Sequence, residues 1–561
     1  MRSLALAAWL GLFGTAVLVG AYLRLDQFFD QVLIDDEWHA VHQVLQRSPA
    51  AMFLDFGWSD YSIPLGMLDW YESRWFGLSE TGMRLPMLAC GLATLVALPL
   101  FVARRTSRAT AALFAYLLAV SPLLVIYSRM ARPYAITLLL GWIAHAVYHR
   151  YHAAPRGEWR TGTAYALAAP LAIWLHPIAA PFALAPLAWG LLDLRRPGPR
   201  PRADRVRRLA ALALPTAALV AVLILPPLLT NPQSLIAKGG ADTPSLATVV
   251  GAFYAWLGTP STLAVVLCVG LALYGARDVA RAFPEARSGA LGIVLTSAAV
   301  MIARTTSSSN AITFARYDLP FVPLLLLAVA AGSVRLAERV AGALAKAPGG
   351  EHSGAARSSR RRAFALVASI PLVALVATSP LGILLRHPNL ETQHLGSYFD
   401  FRLEHNPYVT SADAIPLSPF WVSLAAQPRD TLRIAAAPFY FESYSWDAPR
   451  WERLGRQRVV PGFLTGLCAD RRWGEVPRDP KFRFANAVHL ADDAALAQQR
   501  IDYVVWQKPH PVPWAKEVLG ADTAHCEATL RAKFGAPAYE DAHLVAFRLP
   551  RVGGGEGRAE R

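Results

Sequence analysis

The chain opens on an apolar run from Leu4 to Leu23 (LALAAWLGLFGTAVLVGAYL), and a dozen residues later it reads Asp35-Asp36-Glu37-Trp38-His39. A run of about 20 apolar residues is long enough to cross a bilayer, so the acidic cluster is expected in the first loop on the far side. Carboxylates at a membrane surface have two ordinary chemical uses: binding a cation, and taking a proton from an incoming hydroxyl. A solvated turn is the third reading.

Composition narrows the class. With 54% hydrophobic and 17% charged residues over 561 positions, the chain is too apolar for a soluble enzyme and too long for one compact domain. It reads as a polytopic membrane protein with a soluble part attached. The net charge of +15 would suggest nucleic acid if the arginines shared one soluble face. Many instead fall in short gaps between apolar runs, the pattern of cytoplasmic loops, so no nucleic-acid partner is expected. Arg2 and the absence of a small-x-small cleavage site favour an uncleaved first helix with a cytoplasmic N-terminus.

Hydropathy predicts about eleven spans. After the first come 85–102, 109–127, one ending near Tyr148, 161–175, 178–192, 209–229, 261–275, 289–303, 317–334 and 363–384. Arg104, Arg105 and Arg108 mark the first inside loop. Keeping the two short runs around His176-Pro177 as separate spans leaves the Arg195–Arg208 cluster inside as well. Ala347–Arg362, rich in Gly, Ser and Arg, reads as a flexible cytoplasmic linker.

The expected division is a transmembrane domain at 1–385, a soluble α/β domain at 386–550 and a disordered tail at 551–561. The first carries surface helices within 35–80, where Glu37–Gln46 and Ile63–Phe76 have helical spacing and Trp and Tyr are dense. Parity puts the α/β domain on the same side as Asp36, periplasmic or extracellular, with the helices in the inner (plasma) membrane. In the soluble part, 431–436, 503–506 and 544–549 read as strands and 492–500 as a helix. Cys468 and Cys526 there are candidates to pair, whereas Cys90 and Cys268 fall in spans as core residues.

Arginine inside a bilayer faces a cavity or a partner. Arg129 and Arg132 lie in the link between the third and fourth spans, and Arg316-Tyr317 opens the tenth. Phosphate suits several such forks because guanidinium binds it bidentately; interfacial snorkelling is the bland alternative. Together with a carboxylate cluster on the same side, the pattern points to group transfer from a polyprenyl-phosphate carrier to an acceptor outside. A carboxylate would deprotonate the acceptor and the arginines would stabilise the departing phosphate. No G-x-x-x-x-G-K-[ST] loop is present, which suits a donor without a nucleotide.

Asp36-Glu37, Phe76-Gly77-Leu78-Ser79-Glu80 with Arg84-Leu85-Pro86, Ala119-Val120-Ser121-Pro122 and Arg129–Tyr134 resemble the GT-C membrane glycosyltransferases. Over roughly residues 1–335 the chain is most similar to the protein O-mannosyltransferase and aminoarabinose transferase branch. The resemblance implies a polyprenyl-phosphate sugar donor, transfer of a hexosyl or pentosyl group on the outer face with inversion, and Asp36 as the base or metal-site carboxylate. Arg129, Arg132 and Arg316, with Tyr317 beside the last, would fall near the donor phosphate. Asp35 is an acid beyond the family pattern, so either Asp35 or Asp36 is the catalytic candidate.

His39, three residues after Asp36, could complete a divalent-metal site with Glu37 nearby, or be a helix-surface histidine. His176 could face the cavity or pack at a helix end. Asp60 could touch the acceptor or cap a helix. The acceptor, whether glycan, lipid or protein, stays open. A transporter or flippase would carry a similar cavity, and an envelope-assembly scaffold would leave the acids idle.

Overall fold

The computed structural model describes residues 2–26, 28–29, 37–57, 62–155, 158–197, 199–240, 242–345, 354–379, 417–438, 448–464, 466–468, 488–508 and 523–550. Asp35, Asp36 and Asp60 lie outside the described residues, as does the tail from 551.

Among these residues, seven helices are long and apolar enough to cross a membrane. They are α1 (Arg2–Leu25), α5 (Glu80–Ala103), α11 (Arg202–Thr230), α14 (Thr262–Ala282), α15 (Pro284–Ala303), α17 (Phe321–Ala345) and α18 (Gly354–Thr378). The other expected spans are also helical, but shorter, broken or more polar. Ser121-Pro122 splits one into α6 (Arg108–Ala119) and α7 (Pro122–Tyr127), because proline disfavours helix at the residue before it and lacks the amide to continue it. His176-Pro177 likewise ends α9 (Trp159–Leu175) before α10 (Ala180–Asp193). At 1.5 Å per residue, α9 and α10 reach only about 21 to 26 Å against a hydrocarbon core of about 30 Å. The fourth expected span, α8 (Tyr134–Ala153), carries His145, His149, Arg150 and His152 toward one end.

Between α1 and α5 lie α2 (Trp38–Gln46), α3 (Pro49–Leu54) and α4 (Ile63–Trp75). Two of these occupy stretches whose spacing is helical, and Ser48 caps the third by accepting from the Ala51 amide. Two further short helices, α13 (Leu246–Leu257) and α16 (Ala311–Tyr317), follow, with α12 (Gln233–Ile236) ahead of them. Trp256 Nε1 donates to Ala315 O at 3.1 Å and so ties α13 to α16. The tenth expected span therefore opens later than hydropathy suggests. Arg316-Tyr317 close α16, Asp318-Leu319-Pro320 turn, and α17 begins at Phe321. The segment 354–362, expected as flexible linker, forms the first turns of α18.

One core joins α5, α6, α7, α14 and α17; a second joins α8, α9, α10 and α11. At the α14–α17 crossing, a Cβ on Gly332 would lie 1.9 Å from Leu271 O and one on Gly275 2.2 Å from Ala328 O. These helices approach backbone to backbone only because both residues are glycine.

Among the described residues, the soluble part is a mixed six-stranded sheet in the order β3-β2-β1-β4-β6-β5. Its strands are β1 (Arg433–Ala437), β2 (Arg458–Phe463), β3 (Val488–His489), β4 (Tyr503–Gln507), β5 (Tyr539–Glu540) and β6 (Leu544–Arg548). The first four run parallel and the last two form an antiparallel hairpin against β4. Alternate residues feed a core layer on each face, Ile434, Val459 and Val505 on one side, Ala435, Val460 and Val504 on the other. A disulfide joins Cys468 to Cys526 on the second face.

Candidate functional site

The turn 128–133, between α7 and α8, is held from several directions by buried polar groups. Arg129 is buried and its Nη1 donates to Leu23 O at 3.0 Å, near the end of α1. Arg24, also buried, donates to Gly20 O at 2.9 Å and Ala119 O at 3.3 Å, and its Nε reaches Ser128 Oγ at 3.3 Å. Ser128 in turn donates to Leu124 O at 2.6 Å. α5 can press against this turn because Gly91 faces it, where a Cβ would come within 2.0 Å of Ser128 Oγ.

Glu37 holds the other side. Arg84, on α5, donates through Nε to Oε1 at 2.8 Å and through Nη2 to Oε2 at 2.5 Å. The Ala131 amide donates to the same Oε1. Both side chains of the pair have 0% exposure. One carboxylate thus links the start of α2, the first turns of α5 and the 128–133 turn by a bidentate, charge-assisted contact.

The turn leads into Tyr134, whose ring lies 4.7 Å from Tyr127 and 5.3 Å from His176, centroid to centroid. His176 stands 5.8 Å from the Tyr317 ring. The Arg316 guanidinium sits 5.8 Å from the Tyr134 centroid and 5.5 Å from that of Tyr317. Tyr134, Thr137, His176, Phe182, Arg316 and Tyr317 line one small cavity. A neighbouring cavity is lined by Arg24, Thr94, Tyr127 and Ser128, and Leu138 and Leu319 border both.

Arg316, Tyr317 and His176 therefore meet in space although they are far apart in sequence, and Arg129 and Arg132 lie buried in the adjoining turn. Burial first, then the Arg84 charge, pulls Arg129 down to about 9, with Asp26 opposing and Arg24 adding to the shift. Glu37 is engaged by Arg84 and Ala131, while His39 lies half-buried on α2. Among the described residues no group of three or more His, Cys, Asp or Glu is placed to hold a metal ion; the acids expected to anchor one, Asp35 and Asp36, are not among them.

Sequence reading passed over Arg24, the residue just past the first apolar run, and Asp318, buried in the turn after Tyr317. Ser297 Oγ donates to Asp318 Oδ2 at 2.6 Å, and Oδ1 accepts no hydrogen bond among the described residues. An acid inside a run read as a span is itself the signal that could have found it.

No protein-family model matches the chain, and no curated protein matches it. Among solved structures, the chain is similar to ArnT from Cupriavidus metallidurans in the apo state, with 14% identity, TM-score 0.40 and coverage of 97% of this chain and 98% of that one. For ArnT bound to undecaprenyl phosphate the values are 15%, 0.41, 96% and 98%. The archaeal oligosaccharyltransferase AglB from Archaeoglobus fulgidus, in complex with an inhibitory peptide and a dolichol-phosphate, is similar at 14% identity and TM-score 0.37, over 89% of this chain and 69% of that one.

Proposed function

We propose that the chain is a membrane glycosyltransferase of GT-C type, moving a hexosyl or pentosyl group from a polyprenyl-phosphate donor to an acceptor on the outer face of the inner membrane. The observation that carries the reading is the meeting of Arg316, Tyr317, His176 and Tyr134 on one cavity beside the buried Arg129 and Arg132 turn. Guanidinium forks and phenol and imidazole edges suit a sugar phosphate at a bilayer depth where stray charge is expensive.

In this mechanism the acceptor oxygen attacks the anomeric carbon while the carbon–phosphate-oxygen bond breaks. The electron pair leaves with the phosphate, whose charge Arg316 and the Arg129–Arg132 turn stabilise. The acceptor proton passes to Asp36 or Asp35. Should a divalent cation take part, those same acids would hold it.

The test is transfer of labelled sugar in membranes supplied with candidate polyprenyl-phosphate sugars, comparing wild type with Asp35→Asn, Asp36→Asn and Arg316→Ala at equal expression, with and without chelator. Loss of the base should lower turnover by about 10²–10⁴. Loss of Arg316 should cost about 10²–10³. Full activity in both aspartate variants would remove these acids from the mechanism, and no transfer with any donor would favour a transporter or scaffold.

A further inference from the structure

The soluble sheet carries its charge unevenly. β1, β2 and β4 all begin at one edge, with Arg433 opposite Arg458 and Ile434 opposite Tyr503, and Arg548 ends β6 at that same edge opposite Tyr503. The turns leading into it add exposed Arg429, Arg456 and Arg500. The Asp430 amide donates to Arg456 O at 2.9 Å, which brings the first two turns together.

Strand alternation fixes which of these side chains are neighbours. Ala435 and Val460 belong to one core layer, so Arg433 and Arg458, each two residues earlier in β1 and β2, project on that same side. Their strands lie about 4.8 Å apart, and like charges directly opposite destabilise a sheet. Among the described residues compensation is slight. Arg433 Nη2 reaches only Gln499 Oε1, at 3.4 Å, and its buried Nε has no acceptor among the described residues. Asp430 stands 3.9 Å from Arg458 and is shared with Arg429 at 3.6 Å, while Asp502 Oδ2 accepts the Arg433 backbone amide at 2.9 Å. Burial, and after it the Arg458 charge, lowers Arg433 below its ordinary value. Two like-charged side chains projecting from opposed positions, one with an N–H left over among the described residues, are arranged for an anion that arrives from outside.

We propose that Arg433 and Arg458, with Arg500 at the adjoining turn, form a binding site for a phosphate group. Phosphate matches paired forks bidentately, whereas chloride does not. The phosphate could be borne by a lipid headgroup of the membrane that anchors the chain or by a soluble phosphorylated molecule. Its residues are none of those assigned to the proposed transfer chemistry.

The test is amide hydrogen exchange on the full chain in nanodiscs of zwitterionic lipid, following peptides that cover 429–436 and 456–460. Pyrophosphate is the probe and chloride at matched ionic strength the control. At 100 times the dissociation constant, exchange through global or local opening should slow by about 100-fold in wild type. The double variant Arg433→Gln/Arg458→Gln should show no such slowing, and without ligand it should exchange no faster than wild type, since it relieves a repulsion. A second arm uses nanodiscs of anionic phospholipid without pyrophosphate. Protection there assigns the phosphate to headgroups; protection with pyrophosphate alone assigns it to a soluble molecule. The proposal is overturned by an equal response in the double variant, by the same protection with chloride, by no protection in either arm, or by faster ligand-free exchange in the double variant, which would make the arginines structural.

Discussion

Substituting Glu37 asks whether an acid in the motif Asp35-Asp36-Glu37 serves the scaffold or the chemistry. Both its oxygens are held by Arg84 and one also by the Ala131 amide, with both charged side chains at 0% exposure. Removing one partner of a buried ion pair costs about 3–5 kcal/mol, because the other charge is left uncompensated. Stranding a buried amide adds about 1–3 kcal/mol. Glu37→Leu should therefore lose about 4–8 kcal/mol, a large part of the usual 5–15 kcal/mol margin. Glu37→Gln keeps an oxygen for one donor and should lose about 3 kcal/mol. The pair variant Glu37→Leu/Arg84→Met removes both charges and should be more stable than Glu37→Leu alone. Thermal unfolding in detergent, run beside the transfer assay on the same preparations, reads these differences. If Glu37→Gln keeps the wild-type midpoint but abolishes transfer, the carboxylate acts on substrate or a cation and the scaffold reading is wrong.

Gly332→Ala should cost about 1–3 kcal/mol, since the new methyl meets Leu271 O at 1.9 Å and α14 and α17 must separate; an unchanged midpoint would mean slack at that crossing. Replacing Cys468 and Cys526 together by serine reopens a loop of sequence separation 58 and should lower the stability of the soluble sheet by about 4 kcal/mol, read as faster exchange in 488–508 and 523–550; wild-type exchange would show the bridge to be dispensable. Asp69, buried on α4, is raised well above the usual carboxylate range, by burial first and then by Glu72. The folded state thus keeps a proton that the unfolded chain releases near pH 3.9, so this contribution is full below that value and falls as pH rises toward the folded value. Asp69→Asn should flatten the decline, and a wild-type pH profile in the variant would refute the assignment.

The helices of the bundle were legible because a long apolar run has few other uses, and the break at His176-Pro177 because proline declares itself; the break at Ser121-Pro122 falls inside a run read as one span, 109–127. Arg316-Tyr317-Asp318 was harder to read. Hydropathy averages over the turn at Asp318-Leu319-Pro320, so the expected span opens at Tyr317, the last residue of α16, although Pro320 was there to mark the later start of α17. α13 went unseen because its apolar stretch is only 12 residues long, too short to count as a crossing. α18 begins earlier than expected because a stretch rich in Gly, Ser and Arg reads as linker in isolation, whereas here it continues into the apolar turns from Phe364. For the site, sequence supplied the residue types but not the pairing. That Glu37 would meet Arg84, or His176 would meet Tyr317, depends on helix packing across long loops, and no local periodicity encodes it.

That pairing also explains why scaffold and candidate chemistry share one turn. Ala131 is held by Glu37, Arg129 reaches the end of α1, Ser128 is held by Arg24 and Gly91 admits α5, all within a few residues of Tyr134 in the cavity wall. Groups that bind a transition state must be fixed before it forms, because reorganising them during reaction would consume the stabilisation they provide. Buried hydrogen bonds from four directions supply that fixity in the protein interior, where a loose polar turn would have no water to satisfy it. A defect at Glu37 would therefore reach Tyr134 through the Ala131 backbone. Its effect on transfer should follow its effect on stability, whereas Arg316→Ala, on a different element, should lower turnover by far more than its effect on the unfolding midpoint accounts for.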